Sequence, residues 1–485
     1  MSEANINSKK YVVRMLSEKM VLEPFTKINF SEQKFYKREI MYKNVVSVKI
    51  SCESCQCVRV SHVVSRTNKR LRTEHCDIRA AESTCRDIEE RISSFIANLT
   101  RPKRLLVFVN PLSGHKKSVK IYRAKVLPLF NLAGIHTQTI ETSRCGEPID
   151  LLSTFDLRLI HGIVSIGGDG MFSDCVNGLL SRLQTDSGVD KNDPDADITT
   201  SNIPVGIIPT GSGNYLVNYI HGTKDVETAT LKIILGDHHM SNVVSLHQEQ
   251  KLSRYASLLM GFGLVGRMMH DCEKFRWLGP SRYNVVPVAT LTQRKLVDVH
   301  VEYVPAEEKK SNHSLIPLKY SRQVSLPASH PTKNRKLLPR LNSVPVEPPA
   351  FNKADWRKLD CSVYGVDTYV VTQREKGGSL VPRFADGALT LWLTERCSLP
   401  EHVEQLSRLQ HAKAGYLDFD FIRQVRTTRY RVKLKDASSK NSEGGRHQKK
   451  KYYINVDGEA IELLTHEFEV KLHHCAMPIY GKIDS

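Results

Sequence analysis

The chain has 485 residues, enough for two or three domains with cores of their own, and a formal charge of +18. Such a charge points to acidic partners, lipid headgroups or nucleotides. With no zinc finger, RNP aromatic pair or basic helix in the sequence, it argues against nucleic acid. Residues 1–10 are polar and no apolar run reaches the length of a membrane span, Leu258–Val265 being too short. The expectation is therefore a cytoplasmic protein, soluble or peripheral on a membrane. Eleven cysteines then read as reduced thiols, and Cys52, Cys55 and Cys57 lack the second pair that a zinc site needs.

Residues 10–100 alternate β-rich segments (Tyr11–Val13, Val45–Ile50, Val58–Val64) with polar turns, and a helix from about Thr84 puts Ile88, Ile92, Phe95 and Leu99 on one face. This predicts a small β module closed by a helix. Its basic residues Lys69, Arg70 and Arg72 suit lipid phosphates, or are simply solvated. Arg101-Pro102 marks a boundary. Beyond it Leu105–Val109, His136–Ile140, Ile163–Ile166 and Val205–Ile208 alternate with helical stretches, which predicts a parallel sheet over 101–245. Asp186–Asn202 reads as a surface loop. From 246 to 485 the pattern is β-rich and antiparallel, with a basic Pro- and Ser-rich insertion over 305–349 and a second basic loop over 437–451.

Three of the predicted parallel strands end in turns rich in Gly, Ser and Asn: Asn110-Pro111-Leu112-Ser113-Gly114, Gly167-Gly168-Asp169-Gly170 and Gly211-Ser212-Gly213-Asn214. In a parallel sheet these turns share the carboxyl edge, where ligands bind. Glycines let backbone N–H groups approach a phosphate, and a helix N-terminus favours its charge. Asp169 at the helix mouth suits a metal or a hydroxyl proton, or is an ordinary N-cap. Arg276 and Arg282 are suited to phosphate or to surface pairing, and Asp457-Gly458-Glu459 is an acidic turn between two strands.

Together, in this order, these motifs resemble the diacylglycerol-kinase/sphingosine-kinase catalytic family over roughly residues 101–480. Within that family the chain looks most like the ceramide-kinase and ceramide-kinase-like branch, through Arg101–Pro111, Gly167–Ser173, Gly188–Asn192 and Glu273–Gly279. The resemblance implies an α/β plus β fold. A pleckstrin-homology-like module (1–100) precedes a parallel nucleotide lobe (101–245) and an antiparallel lipid lobe (246–485). It implies transfer of the ATP γ-phosphate to the primary hydroxyl of ceramide or a related sphingolipid, at an anionic membrane such as the Golgi or plasma membrane. Sphingosine and diacylglycerol are the alternative substrates.

In that reading Asp169 is the base, and Asn110, Pro111, Leu112, Ser113, Gly114, Thr142, Gly168, Gly170, Asp174, Gly211, Ser212 and Gly213 line the nucleotide pocket. Arg276 and Arg282 hold phosphates; Asp457, Gly458 and Glu459 close the site. Mg²⁺ arrives with ATP near Asp169 and Asp457, without a dedicated protein site. Asp174 stands where the family usually has Glu. Gly266-Arg267 stands where ceramide kinases carry Gly-Asp; Arg there is similar to the ceramide-kinase-like proteins and leaves open a catalytically weak, regulatory role. The helix near Glu401–Arg408 is not basic enough to point strongly to calmodulin.

Overall fold

The computed structural model describes residues 2–6, 9–24, 37–52, 56–211, 214–306, 355–376, 379–410, 419–435 and 451–481. The turn residues Ser212 and Gly213, nearly all of the 305–349 insertion and the 437–451 loop except its last residue lie outside these.

The N-terminal module is β1 (Ser2–Ile6), β2 (Lys9–Met15), β3 (Lys19–Pro24), β4 (Arg38–Met41), β5 (Val45–Cys52), β6 (Cys57–Ser65), β7 (Leu71–Arg79) and α1 (Glu82–Ala97). All its strand pairings are antiparallel, in a seven-stranded sheet of order β4-β3-β2-β1-β7-β6-β5. In β6, Val58 and Val60 point inward while Arg59 points out to pair with Asp77, as the two-residue period of a half-buried strand requires. In α1, Cys85, Ile88 and Ile92 recur at helical spacing and close the module's core.

The first lobe contains β8 (Arg104–Val109), α2 (Ser113–Lys116), α3 (Ser118–Ile121), α4 (Leu127–Leu132), β9 (His136–Glu141), α5 (Glu147–Thr154), β10 (Gly162–Gly167), α6 (Asp169–Asp186), β11 (Val205–Pro209), α7 (Tyr215–His221) and α8 (Val226–Leu235). Between α3 and α4 a π turn over Tyr122–Val126 buries Tyr122 and Val126. The strands run in order β9-β8-β10-β11, all parallel. β10 and β11 are buried at every position, as strands covered by helices on both faces must be.

The second lobe contains β12 (His238–Gln248), β13 (Lys251–Ala256), β14 (Leu259–Gly263), α9 (Leu264–Lys274), α10 (Arg282–Thr292), β15 (Val297–Pro305), β16 (Arg357–Val363), β17 (Gly365–Tyr369), β18 (Thr372–Lys376), β19 (Ser379–Arg383), β20 (Leu389–Thr394), α11 (Leu399–Gln410), β21 (Ile422–Leu434), β22 (Tyr453–Val456), β23 (Glu459–Glu462) and β24 (Glu467–Tyr480). The strand pairings within this lobe are antiparallel. No helix among the described residues is long and apolar enough to cross a membrane.

The lobes are not separate sheets: β24 pairs antiparallel with β12 and β21 and parallel with β11, through Val205 and Ile479, so one 15-stranded sheet runs through both. The expected boundary at 245 accordingly falls inside β12. The module also packs against the first lobe. Val46 and Val63 join the cluster that contains Val107, Phe130, Ala229 and Ile233 of the first lobe.

The basic turn of the module faces that same lobe. The Arg72 guanidinium donates to both carboxylate oxygens of Asp225, at 2.6 and 3.0 Å, and lies 3.3 Å from Glu227. The Leu71 N–H donates to Thr228 Oγ1, and Lys69 lies against Gly222. Arg72 is therefore a docking residue and not a lipid ligand, a correction that sequence could not supply because its partners are some 150 positions away. Arg72→Ala should lower stability by about 1–3 kcal/mol, the range for hydrogen bonds to charged groups. Limited proteolysis near Leu99–Lys103 should quicken in parallel; an unchanged cleavage rate would reduce the pair to surface decoration.

Candidate active site

The three sequence turns meet at the carboxyl edge of β8, β10 and β11. The Asn110 N–H donates to Ile166 O at 3.0 Å, and the Thr210 and Gly211 N–H groups both donate to Gly167 O at 3.0 Å. Contact between the turns is close enough to demand glycine. A Cβ on Gly211 would lie 2.5 Å from Gly168 Cα, and one on Gly114 (φ +59°) would lie 2.5 Å from Thr210 O. Ser113 Oγ is 3.4 Å from Thr210 Oγ1, and Leu112, largely exposed, donates its N–H to Asn110 Oδ1. Pro111 occupies the same turn. The described residues of these turns gather backbone and small polar groups near the N-terminus of α6, a setting that suits phosphate.

Asp169 is the first residue of α6, and its Oδ1 accepts from the Leu216 N–H at 3.2 Å. The carboxylate thus links the second turn to α7, behind the third. Thr142, at the end of β9, is buried with its hydroxyl on Val109 O at 3.3 Å, which makes it a strand-end anchor; nothing seen at that side chain points to a ligand role.

The second lobe closes over α6 through the β22–β23 turn. Gly170 lies under Glu459: a Cβ there would be 3.3 Å from Glu459 Oε1. Between Glu459 and Asp174 stands Arg254 of β13, at 2.9 Å from the former and 2.5 Å from the latter. Sequence reading missed Arg254, which sits in β13 with no motif around it. Asp174 also accepts from the Gly146 N–H at 3.0 Å. Burial pushes the Glu459 carboxyl up to about 7, with Arg254 opposing and the Asp174 charge adding to the shift. The charge of Glu273, in α9, adds to it as well.

Asp457 does not play the role expected of it. Only 3% exposed, it accepts from the Ser257, Leu258 and Leu259 N–H groups and the Ser257 hydroxyl at 2.8–3.1 Å. With both oxygens so engaged, it staples the β13–β14 connection and does not face a ligand or a metal. Gly458 (φ +93°) completes the hairpin. Arg282 opens α10, its carbonyl 3.8 Å from Cys272 Sγ, while the side chain of Arg276 lies outside the description. Arg267 donates to Gln293 Oε1 at 2.9 Å and so ties α9 to the end of α10.

A possible cation cage of Cys145, Asp174 and Glu459 has its ligand atoms within 4.8 Å of one another, but the Arg254 guanidinium already bridges the two carboxylates. A resident ion does not fit there.

Comparison with known proteins agrees with this geometry. Residues 104–246 match the diacylglycerol kinase catalytic domain. The chain is 39% identical to human ceramide kinase over 224 residues, which are 46% of this chain and 41% of that one. It is 29% identical to mouse ceramide kinase over 387 residues, 77% of this chain and 70% of that one. It is also 26% identical to human ceramide kinase-like protein over 452 residues, 85% and 73% respectively.

Proposed function

We propose, for a chain that carries a diacylglycerol kinase catalytic domain match over residues 104–246 and resembles the ceramide kinases, that it transfers the ATP γ-phosphate to the primary hydroxyl of ceramide. The observation that carries this reading is the meeting of three glycine turns at the mouth of α6, with Asp169 beside them. Asp169 takes the hydroxyl proton as the lipid oxygen bonds to the γ-phosphorus and the bridging bond to ADP breaks. The transition state is loose, so placement and charge matter more than base strength. Mg²⁺, when bound with the nucleotide, neutralises charge on the phosphate oxygens. Arg254 holds Glu459 over the start of α6 and keeps the two lobes in register across the site.

Two further elements belong to this reading. The N-terminal module has the strand number and closing helix of a pleckstrin-homology domain. Membrane association would use charge other than Arg72, on a chain of net +18. Arg282 contacts nucleotide phosphate; Arg282→Ala should weaken ATP binding by about 1–3 kcal/mol, and Lys should restore only part, lacking the planar fork. Unaltered affinity would assign Arg282 to packing.

The deciding experiment is radiolabel transfer from ATP to ceramide, sphingosine and diacylglycerol by the full chain. Preference for ceramide supports the proposal; preference for another lipid moves the substrate within the same chemistry. Nucleotide binding without transfer to any of the three would favour the regulatory reading that Arg267 raises.

A further inference from the structure

A cavity of about 340 Å³ lies where the N-terminal module meets the first lobe, outside the three-turn site. Its volume is within the usual range for small-molecule sites. The walls come from both bodies: Val48 and Ile96 from the module, Leu132 and Ile234 from the lobe. Three cations, Lys49, Arg101 and Lys103, line the same cavity. Among the described residues none of the three is in an ion pair. Arg101 donates instead to two carbonyls, Val45 O at 2.5 Å and Lys43 O at 2.7 Å, and its Nε has no partner. Burial draws the Arg101 guanidinium down to about 10, with Asp237 opposing. A half-buried cation flanked by two exposed lysines and held only by neutral acceptors is a place where an anion gains and a neutral ligand does not.

Apolar walls and cations outside any salt bridge in one cleft suit an amphiphile. We propose that this cleft binds a single-chain lipid with an anionic headgroup. The headgroup sits at Lys49, Arg101 and Lys103, the chain lies along Ile96, Leu132 and Ile234, and the ligand bridges the module to the first lobe. A fatty acid and a lipid phosphate share this chemistry.

The test uses the full chain and dodecyl phosphate below its micelle concentration, followed by calorimetry and by amide hydrogen exchange over 46–49 and 132–135. Laurate is a second anionic probe; dodecyl maltoside and inorganic phosphate are the neutral-head and chainless controls. Dodecyl phosphate should slow exchange in both segments, and each control should bind at least about tenfold more weakly. Stronger binding by laurate or by dodecyl phosphate then identifies the headgroup class. The Lys49→Ala/Lys103→Ala double variant, changed only at exposed positions, should lose about tenfold or more in affinity at this site. Ala133→Phe, which fills the cavity, should abolish the protection while ATP binding persists. Protection confined to the second lobe, equal binding of inorganic phosphate or the maltoside, or full affinity in the double variant would overturn the proposal. None of these readouts depends on phosphate transfer, so they stand apart from the proposed activity.

Discussion

Asp169→Asn is expected to leave a folded, nucleotide-binding protein that no longer transfers phosphate. The Leu216 N–H that donates to Asp169 Oδ1 finds the same oxygen in the Asn amide, so α7 keeps its anchor and the thermal midpoint should barely move. What disappears is a negative charge and a proton acceptor. Loss of a positioned base costs about 10²–10⁴-fold in turnover. ATP affinity should hold, because the glycine turns are untouched. Turnover within a few-fold of the parent would reduce Asp169 to a structural link between α6 and α7. Unfolding of the variant would lead to the same conclusion by another route.

Acidification from pH 7.5 to 5 is expected to destabilise the chain through its buried histidines. Burial holds His221 at about 3, His402 at about 4 and His473 at about 3, each assisted by a neighbouring cation. His402, for one, accepts from Arg294 at 2.9 Å, a contact that only the neutral ring can make. The unfolded chain binds protons on these rings near pH 6.5 and the folded chain does not. Stability is therefore fully present above that pH and falls as pH drops towards the folded values. At pH 5 each ring contributes about 2 kcal/mol of loss, roughly 6 kcal/mol together, comparable with the whole stability of many domains. Glu459 and Asp367, each raised to about 7 by burial, work in the opposite direction: they weaken the fold as pH rises towards 7, so acidification recovers much of the ring loss. Denaturant midpoints measured from pH 7.5 down to 5 should fall only by the excess of the ring losses over these carboxylate gains. His473→Gln, which retains a partner for the Ser245 hydroxyl, should make that slope shallower. A flat profile would mean that the rings take up protons without unfolding.

The parts of the site that were legible in the sequence are those made of local chemistry. Ile163–Ile166 and Val205–Ile208 are mostly apolar runs that lead into glycine-bearing turns, as buried parallel strands at a ligand edge do. The less legible parts depend on distant partners. Asp457 carries the Asp-Gly of a hairpin, and nothing local says that four donors from Ser257–Leu259 consume its oxygens. Arg254 is one cation in a strand, visible as a site residue only once Asp174 and Glu459 stand either side of it. Arg72 reads as a solvated loop residue until α8 brings Asp225 to it. Patterns of period and turn reach a few residues along the chain; ion pairs between lobes do not.

The last strand has a consequence for how the protein is made. Tyr480, 2% exposed, packs on Gly162 and Gly206 and donates its hydroxyl to His161 O, and Ile479 pairs with Val205. The core under the glycine turns is thus finished by residues that leave the ribosome some 270 positions after β11. Until then β11 presents a bare edge, and an unpaired edge in a slowly closing parallel sheet invites pairing with another nascent chain. Loss of the chain from Ile479 onward would leave every earlier strand in place and still keep the first lobe from closing. Yield from a cell should therefore follow the integrity of β24 and the supply of chaperones that cover β11 while synthesis runs on.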